Sequence, residues 1–205
     1  VVEGNSGTAT ATFTVSLDAP ASDPVTVSWA TAAGTAASPA DFTAASGSLT
    51  FAPGVTSQTL DVTVNGDTLD EADETFSVNL SSPVGAAILD GQGIGTIQDD
   101  DAPPSVSISG GSATEGHTGN ATLFFTATLS APSGRPTSVA CAPAAGTATA
   151  GSDFVSYTAG VAFPAGTTAR PVSVTVIGDY VFEPDETFTV TLSNPVLLTI
   201  GNGQG

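Results

Sequence analysis

Residues 8–17, TATATFTVSL, alternate Thr or Ser with Ala, Phe, Val and Leu. A period of two places the apolar side chains on one face of a β-strand and the hydroxyls on the other. The stretches 24–31 (PVTVSWAT), 57–65 (SQTLDVTVN) and 74–81 (ETFSVNLS) alternate likewise, and clusters of Gly, Pro, Asp and Ser separate them. No stretch carries a convincing 3.6-residue period. The pattern predicts antiparallel strands, each with one buried face and one Thr-rich solvent face, packed as two sheets. The inward positions are Phe13, Val15, Leu60, Val62, Val64, Phe76 and Val78, and later Phe125, Val172, Val174, Val176, Phe188 and Val190.

The pattern occurs twice. Phe76 recurs as Phe188, and the offset of 112 residues holds with almost no gaps. Glu3-Gly4 becomes Glu115-Gly116, Gly34-Thr35-Ala36 becomes Gly146-Thr147-Ala148, and Asp41-Phe42 becomes Asp153-Phe154. So long a period exceeds a solenoid unit and suits a sandwich of about 100 residues. The expected fold is all-β, two tandem immunoglobulin-like antiparallel β-sandwich domains of about seven strands each. Their expected extents are 1–102 and 103–205, joined at Asp99-Asp100-Asp101-Ala102-Pro103-Pro104. The two prolines favour a short, stiff, extended linker.

Two full periods would need 19 residues more than the 205 of the chain, and the shortfall corresponds to Ile94–Ser112. The first domain is therefore expected to want its opening strand and the second its closing strand. Either the chain is a window on a longer array, or another molecule supplies the strands.

Charge narrows the function. Twenty acids face Arg135 and Arg170 alone, for a net charge of −18. That excludes nucleic acid as a partner, since phosphates would go unneutralised. It also argues against an anionic membrane surface, and the chain has no apolar run suited to direct membrane insertion. Cys141 is the only cysteine, so no intrachain disulfide forms. It aligns with Trp29 in an apolar strand pattern, as a small buried hydrophobe would.

The acids themselves are clustered. Residues 66–76 read GDTLDEADETF and residues 178–188 read GDYVFEPDETF. Crowded carboxylates repel, and a hard cation relieves the repulsion. Ca²⁺ takes several oxygens in flexible geometry. The first domain offers Glu3, Asp41, Asp67, Glu71, Glu74 and the run Asp99, Asp100, Asp101. The spacing is not that of an EF-hand. Asp18, Asp23, Asp61 and Asp90 read as surface acids.

Taken together, the doubled EG, GTA, DF, GD, E-x-D-E-T-F and LS-x-P elements resemble Calx-beta domains. These are Ca²⁺-binding sandwiches known from sodium–calcium exchangers, integrin β4 and bacterial surface proteins. The resemblance covers nearly the whole chain, twice. It implies Ca²⁺ ligands at Glu3, Asp41, Asp67, Glu71, Glu74 and Asp99–Asp101, with the Leu69 carbonyl as a backbone ligand. In the second domain it implies Glu115, Asp153, Asp179, Glu183 and Glu186, with the Val181 carbonyl. The fullest sites of the family carry consecutive acids where this chain has single Asp67 and Asp179. The second copy also stops before a terminal Asp run.

The expected role is a non-enzymatic, Ca²⁺-binding structural or adhesive module of an extracellular or cell-surface repeat protein. Its partners would be calcium ions and neighbouring repeats or identical subunits, in a filament or surface layer joined by strand sharing. The alternative is a Ca²⁺-sensing regulatory domain pair within a larger membrane or secreted protein. Paired carboxylates can also cleave glycosides. Here a cation accounts for them, and Trp29 alone makes no sugar-stacking platform.

Overall fold

A computed structural model describes all residues, 1–205. It contains strands and turns and no helix, so no helix is long and apolar enough to cross a membrane. Contacts divide the chain into two compact units. One is Val1–Thr68 with Ala72–Asp101, and the other is Ala102–Gly205 with Leu69–Glu71.

The first unit holds β1 (Thr8–Ser16), β2 (Val25–Ala33), β3 (Ser46–Phe51), β4 (Ser57–Asn65), β5 (Glu74–Val84) and β6 (Gln92–Ile97). One sheet runs in the order β3, β2, β5, β6, and β1 pairs antiparallel with β4 alone. The second unit holds β7 (Ser105–Ser109), β8 (Gly119–Leu129), β9 (Thr137–Ala145), β10 (Ala159–Phe163), β11 (Ala169–Gly178), β12 (Phe188–Val196) and β13 (Thr199–Ile200). Its sheets run β10, β9, β12 and β11, β8, β7, β13.

The period-two pattern decides which side chains form the cores. Leu60, Val62, Val64, Phe76 and Val78 are buried in the first unit. Phe125, Val172, Val174 and Val190 are buried in the second, with Cys141 among them. Four expected core positions are only partly buried: Phe13 and Val15 in the first unit, Val176 and Phe188 in the second. Phe13 and Val15 lie on β1, whose covering differs from that of its counterpart β8. On β8, Leu123, Phe125, Ala127 and Leu129 are buried beside β7. Their counterparts on and just after β1, Ala11, Phe13, Val15 and Leu17, are only half covered, because β1 has β4 as its sole neighbour.

Two aromatic stacks bring loop residues into the core. Phe42 lies against Phe76 with ring centroids 4.8 Å apart and 16° between planes. Phe154 lies against Phe188 at 4.7 Å and 21°. Such pairs add about 0.5–1.5 kcal/mol beyond the area they bury. The side chains of Phe42 and Phe154 have essentially no exposure.

Candidate metal centres

Each fragment of the duplicated pattern has a structural task, and together the tasks gather carboxylates. Phe42 and Phe76 are stacked in the core, so Asp41, one residue before the first, and Glu74, two before the second, are held near each other. The Gly-Thr-Ala turn locks the same two segments. The Thr75 amide donates to the Thr35 hydroxyl at 2.8 Å, and the Ala36 amide donates to the Thr75 carbonyl at 3.0 Å. The second unit repeats both bonds: Thr187 amide to Thr147 hydroxyl at 2.8 Å, and Ala148 amide to Thr187 carbonyl at 3.0 Å. A Cβ on Gly34 or Gly146 would run into the carbonyl of Thr75 or Thr187, so the turn needs glycine there.

The aspartate before each buried Phe is fixed by its own turn. Asp41 Oδ2 accepts the Ala37 amide at 2.6 Å, while the Asp41 amide donates to the Ala37 carbonyl at 2.9 Å. Asp153 Oδ2 accepts the Thr149 amide at 2.6 Å, and the Asp153 amide donates to the Thr149 carbonyl at 3.0 Å.

The glycine that opens each acidic loop permits a close backbone approach. A Cβ on Gly66 would collide with the carbonyls of Gly4 and Glu3. A Cβ on Gly178 would lie 2.6 Å from the Glu115 carbonyl. Gly66 and Gly178 thus let the Glu-Gly segment lie against the acidic loop in both copies.

In the first unit the Glu-Gly segment is also tied to the residues after β6. The Gln98 amide donates to the Val1 carbonyl at 2.8 Å, and the Glu3 amide donates to the Gln98 carbonyl at 3.2 Å. The Gly4 amide donates to Asp100 Oδ1 at 3.0 Å. This lateral pairing sets Glu3, itself buried, beside the Asp run.

The outcome is three groups of carboxylates. Glu3, Asp99 and Asp101 place oxygens within 4.8 Å of one another, as do Asp41, Glu71 and Glu74, and Asp153, Glu183 and Glu186. Members of the first two groups are half-buried or buried, whereas Glu183 and Glu186 are exposed. Three convergent carboxylate oxygens form the donor set a hard divalent cation takes. The fit is chemical: all donors are oxygen, all are negative, and each trio draws on two separate segments of the chain.

Among the other sequence-expected carboxylates, Asp67, Asp100, Glu115 and Asp179 stand outside these groups. Asp179 Oδ1 accepts the Val181 amide at 2.6 Å, closing a local turn. Asp67 is exposed, and Glu115 is half-buried.

Electrostatics mark the second unit. Glu183 holds its proton above the ordinary carboxylate range, first because neighbouring atoms strip water from it, then because Asp153, Asp179 and Glu115 repel its charge. Glu186 is raised likewise, by desolvation first, then by its hydrogen bond with Asp153 and the charges of Asp153, Glu183 and Glu115. The two side chains stay open to solvent overall, so the effect is that of a crowded rim and not of a sealed interior.

Two acids outside the expected ligand set have tasks of their own. Asp73 Oδ1 accepts the Asp99 amide at 3.3 Å, which ties the acidic loop to the Asp run. Within the second unit, Asp70 is buried at 2% exposure. It accepts the Ser133 hydroxyl at 2.9 Å and pairs with the Arg135 guanidinium. Its counterpart, Phe182, is 99% exposed. The sequence held one clue to this pair: Arg135 is one of only two cations available to twenty acids.

The Calx-beta domain family model matches the chain twice, over residues 1–101 and 99–201. Among solved structures, one described as CBD12 from CALX1.2 is similar at 22% identity, with 95% of this chain and 76% of that chain covered and a TM-score of 0.46. The calcium binding domain CBD12 of CALX1.1 is similar at 22% identity, covering 95% and 75%, with a TM-score of 0.47. The apo-form Calx CBD1 domain is 33% identical over 39% of this chain and 73% of that one, with a TM-score of 0.38. No curated protein matches the chain.

Proposed function

The chain belongs to the Calx-beta domain family, and from that premise we propose that it is a Ca²⁺-binding structural or adhesive module of an extracellular repeat protein. The observation that carries this is the meeting of three carboxylate oxygens within 4.8 Å at three places. Glu3, Asp99 and Asp101 would hold one ion, Asp41, Glu71 and Glu74 a second, and Asp153, Glu183 and Glu186 a third. Asp67, Asp100, Glu115, Asp179 and the carbonyls of Leu69 and Val181 are the further oxygens of this reading.

A bound ion supplies positive charge where carboxylates repel and ties loops from distant segments together. The rest follows from the residues. The Phe stacks and the Gly-Thr-Ala turns hold the carboxylates in place before any ion arrives, so little ordering is left to oppose binding. The reading is one of binding: in each group three carboxylates face one another at a spacing that a single cation can bridge.

The charge of −18 suits a cation-rich exterior. Extracellular Ca²⁺ modules bind with Kd of about 10⁻⁴–10⁻³ M. At ten times Kd each filled site adds about 1.4 kcal/mol of stability. The partners in this reading are neighbouring repeats or identical subunits, joined by strand sharing into a filament or surface layer. Calorimetric melting in millimolar Ca²⁺ and in excess chelator tests the ion. A higher melting temperature with Ca²⁺ is expected, and identical temperatures would sink the proposal.

A further inference from the structure

Asn-Gly occurs twice in the chain, at Asn65-Gly66 and at Asn202-Gly203. The pair is chemically labile. Glycine carries no Cβ, so its amide nitrogen can reach the carboxamide carbon of the preceding asparagine. Whether it does so depends on how the two residues are held, and the fold holds the two pairs in opposite ways.

Asn65 closes β4, and both members of its pair are tied. Its Nδ2 donates to the Pro39 carbonyl at 2.8 Å and to the Ala40 carbonyl at 3.2 Å. Its backbone amide donates to the Asp41 carbonyl at 2.9 Å. The Gly66 amide, the nitrogen that would attack, donates to the Gly7 carbonyl at 3.1 Å. An attack at Asn65 must first break the Gly66 bond and the side-chain bonds.

Asn202 sits in an exposed bend after β13. Its firm ties are in the backbone. The Asn202 amide donates to the Ser107 hydroxyl at 3.1 Å, and the Asn202 carbonyl accepts the Ile108 amide at 3.1 Å. The Gly203 carbonyl accepts the Leu192 amide at 2.8 Å. The carboxamide has only a long bond from the Gln204 amide to Oδ1, at 3.4 Å. The duplicate of this turn is Asp90-Gly91-Gln92, where Asp90 Oδ1 accepts the Gln92 amide at 3.2 Å. Asp90 is exposed although β6 follows it, so the openness belongs to the turn itself. The same turn therefore accepts a carboxylate in place of the carboxamide.

We propose that Asn202 is a site of spontaneous deamidation and that the fold protects Asn65 from the same reaction. The Gly203 nitrogen attacks Asn202 Cγ, a C–N bond forms, the Cγ–Nδ2 bond breaks, and ammonia leaves with the proton of the Gly203 amide. Water then opens either carbonyl of the imide, leaving aspartate or isoaspartate and one further negative charge. Aspartate keeps the backbone as Asp90 has it. Isoaspartate routes the chain through Cγ. The carbonyl that accepts the Ile108 amide becomes a free carboxylate, and the extra backbone atom shifts Gly203 against Leu192. The product thus loosens the pairing of this segment with β7 and β12. The inference is independent of whether the carboxylates hold an ion and of how the chain assembles.

The test ages the full chain in mildly alkaline buffer at physiological temperature and maps its peptides by tandem mass spectrometry that separates aspartate from isoaspartate. Conversion at Asn202 should run at least about tenfold faster than at Asn65, because of the hydrogen bonds that hold the Asn65 pair. In denaturant the two rates should converge. In the aged folded chain, hydrogen exchange at the Ile108 and Leu192 amides should quicken in proportion to isoaspartate. An aged Asn202→Gln chain, which would have to close a larger and slower-forming ring, should show no such change. Fresh Asn202→Asp should exchange like the unaltered chain.

Equal or faster conversion at Asn65 in the folded chain would overturn the proposal. So would an Asn202 that stays intact while the denatured chain converts. Exchange at Ile108 and Leu192 that is unchanged by isoaspartate, or that quickens equally in aged Asn202→Gln, would overturn the loosening.

Discussion

The two copies of the acidic loop, GDTLDEADETF and GDYVFEPDETF, are built on one frame and end in different states. Both open on a glycine pressed against the Glu-Gly backbone, and both end on a Phe stacked in the core. Between those anchors they diverge. Asp70 is buried with Arg135, while Phe182 in its place is exposed and Tyr180 stacks beside His117. Glu71 and Glu74 are half-buried, while Glu183 and Glu186 stand in solvent, their carboxyl pKa values raised by desolvation and by the acids around them. Apolar anchors and close-approach glycines fix where the carboxylates go. What surrounds those anchors fixes how the carboxylates are charged and screened.

The largest effect comes from breaking the frame. Phe42→Ala and Phe154→Ala should each cost about 3–5 kcal/mol in denaturant unfolding, as deletion of a buried ring does. Hydrogen exchange should place each loss in its own unit. A cost below about 1 kcal/mol for either would show that the stack does not position the neighbouring aspartate.

A smaller effect is expected at the loop glycines. Gly66→Ala forces a Cβ onto two carbonyls and should cost about 1–3 kcal/mol. Gly178→Ala meets its nearest carbonyl at 2.6 Å and should cost less. Both should weaken Ca²⁺ stabilisation of their own unit by displacing Glu3 or Glu115. Equal costs at the two positions would remove the difference in approach that the structure shows.

The smallest effect is in pH. A carboxyl whose folded pKa is raised favours the folded state when protonated. For Glu183 and Glu186 that contribution is complete below the ordinary value of 4.5 and is lost as pH rises through the raised values. In chelator, the second unit should therefore lose this contribution as pH rises above 4.5. In Ca²⁺, protons compete with the ion, so acidification should weaken Ca²⁺ stabilisation at a higher pH than ordinary carboxylates would give. Exchange rates in the two units, followed across that range with and without Ca²⁺, read both trends. A second unit that gains stability with rising pH in chelator would reverse the sign.

Much of this was legible in local pattern. The alternation in SQTLDVTVN places Leu60, Val62 and Val64 inward, because a strand's period is two whatever lies across the core. The doubled offset paired Asp41 with Asp153 and Glu74 with Glu186 before any geometry. The partial exposure of Phe13 and Val15 was not legible, since it depends on a neighbouring strand and not on β1 itself. Nor was the burial of Asp70, which turns on Arg135, 65 residues away. The trios were foreseen as one loose set per domain. Their division into Glu3 with Asp99 and Asp101, and Asp41 with Glu71 and Glu74, depends on the pairing of Val1–Glu3 with Gln98, which no spacing in the sequence encodes.

The central claim is that separate carboxylate trios hold Ca²⁺. Isothermal titration of the full chain tests it most directly, beside one variant carrying Asp99→Asn with Asp101→Asn and another carrying Asp153→Asn with Glu186→Gln. Saturable Ca²⁺ binding to the unaltered chain is expected. Each variant should lose a different part of the stoichiometry while circular dichroism shows the fold retained. No saturable heat at millimolar Ca²⁺, or an unchanged stoichiometry in both folded variants, would contradict the account.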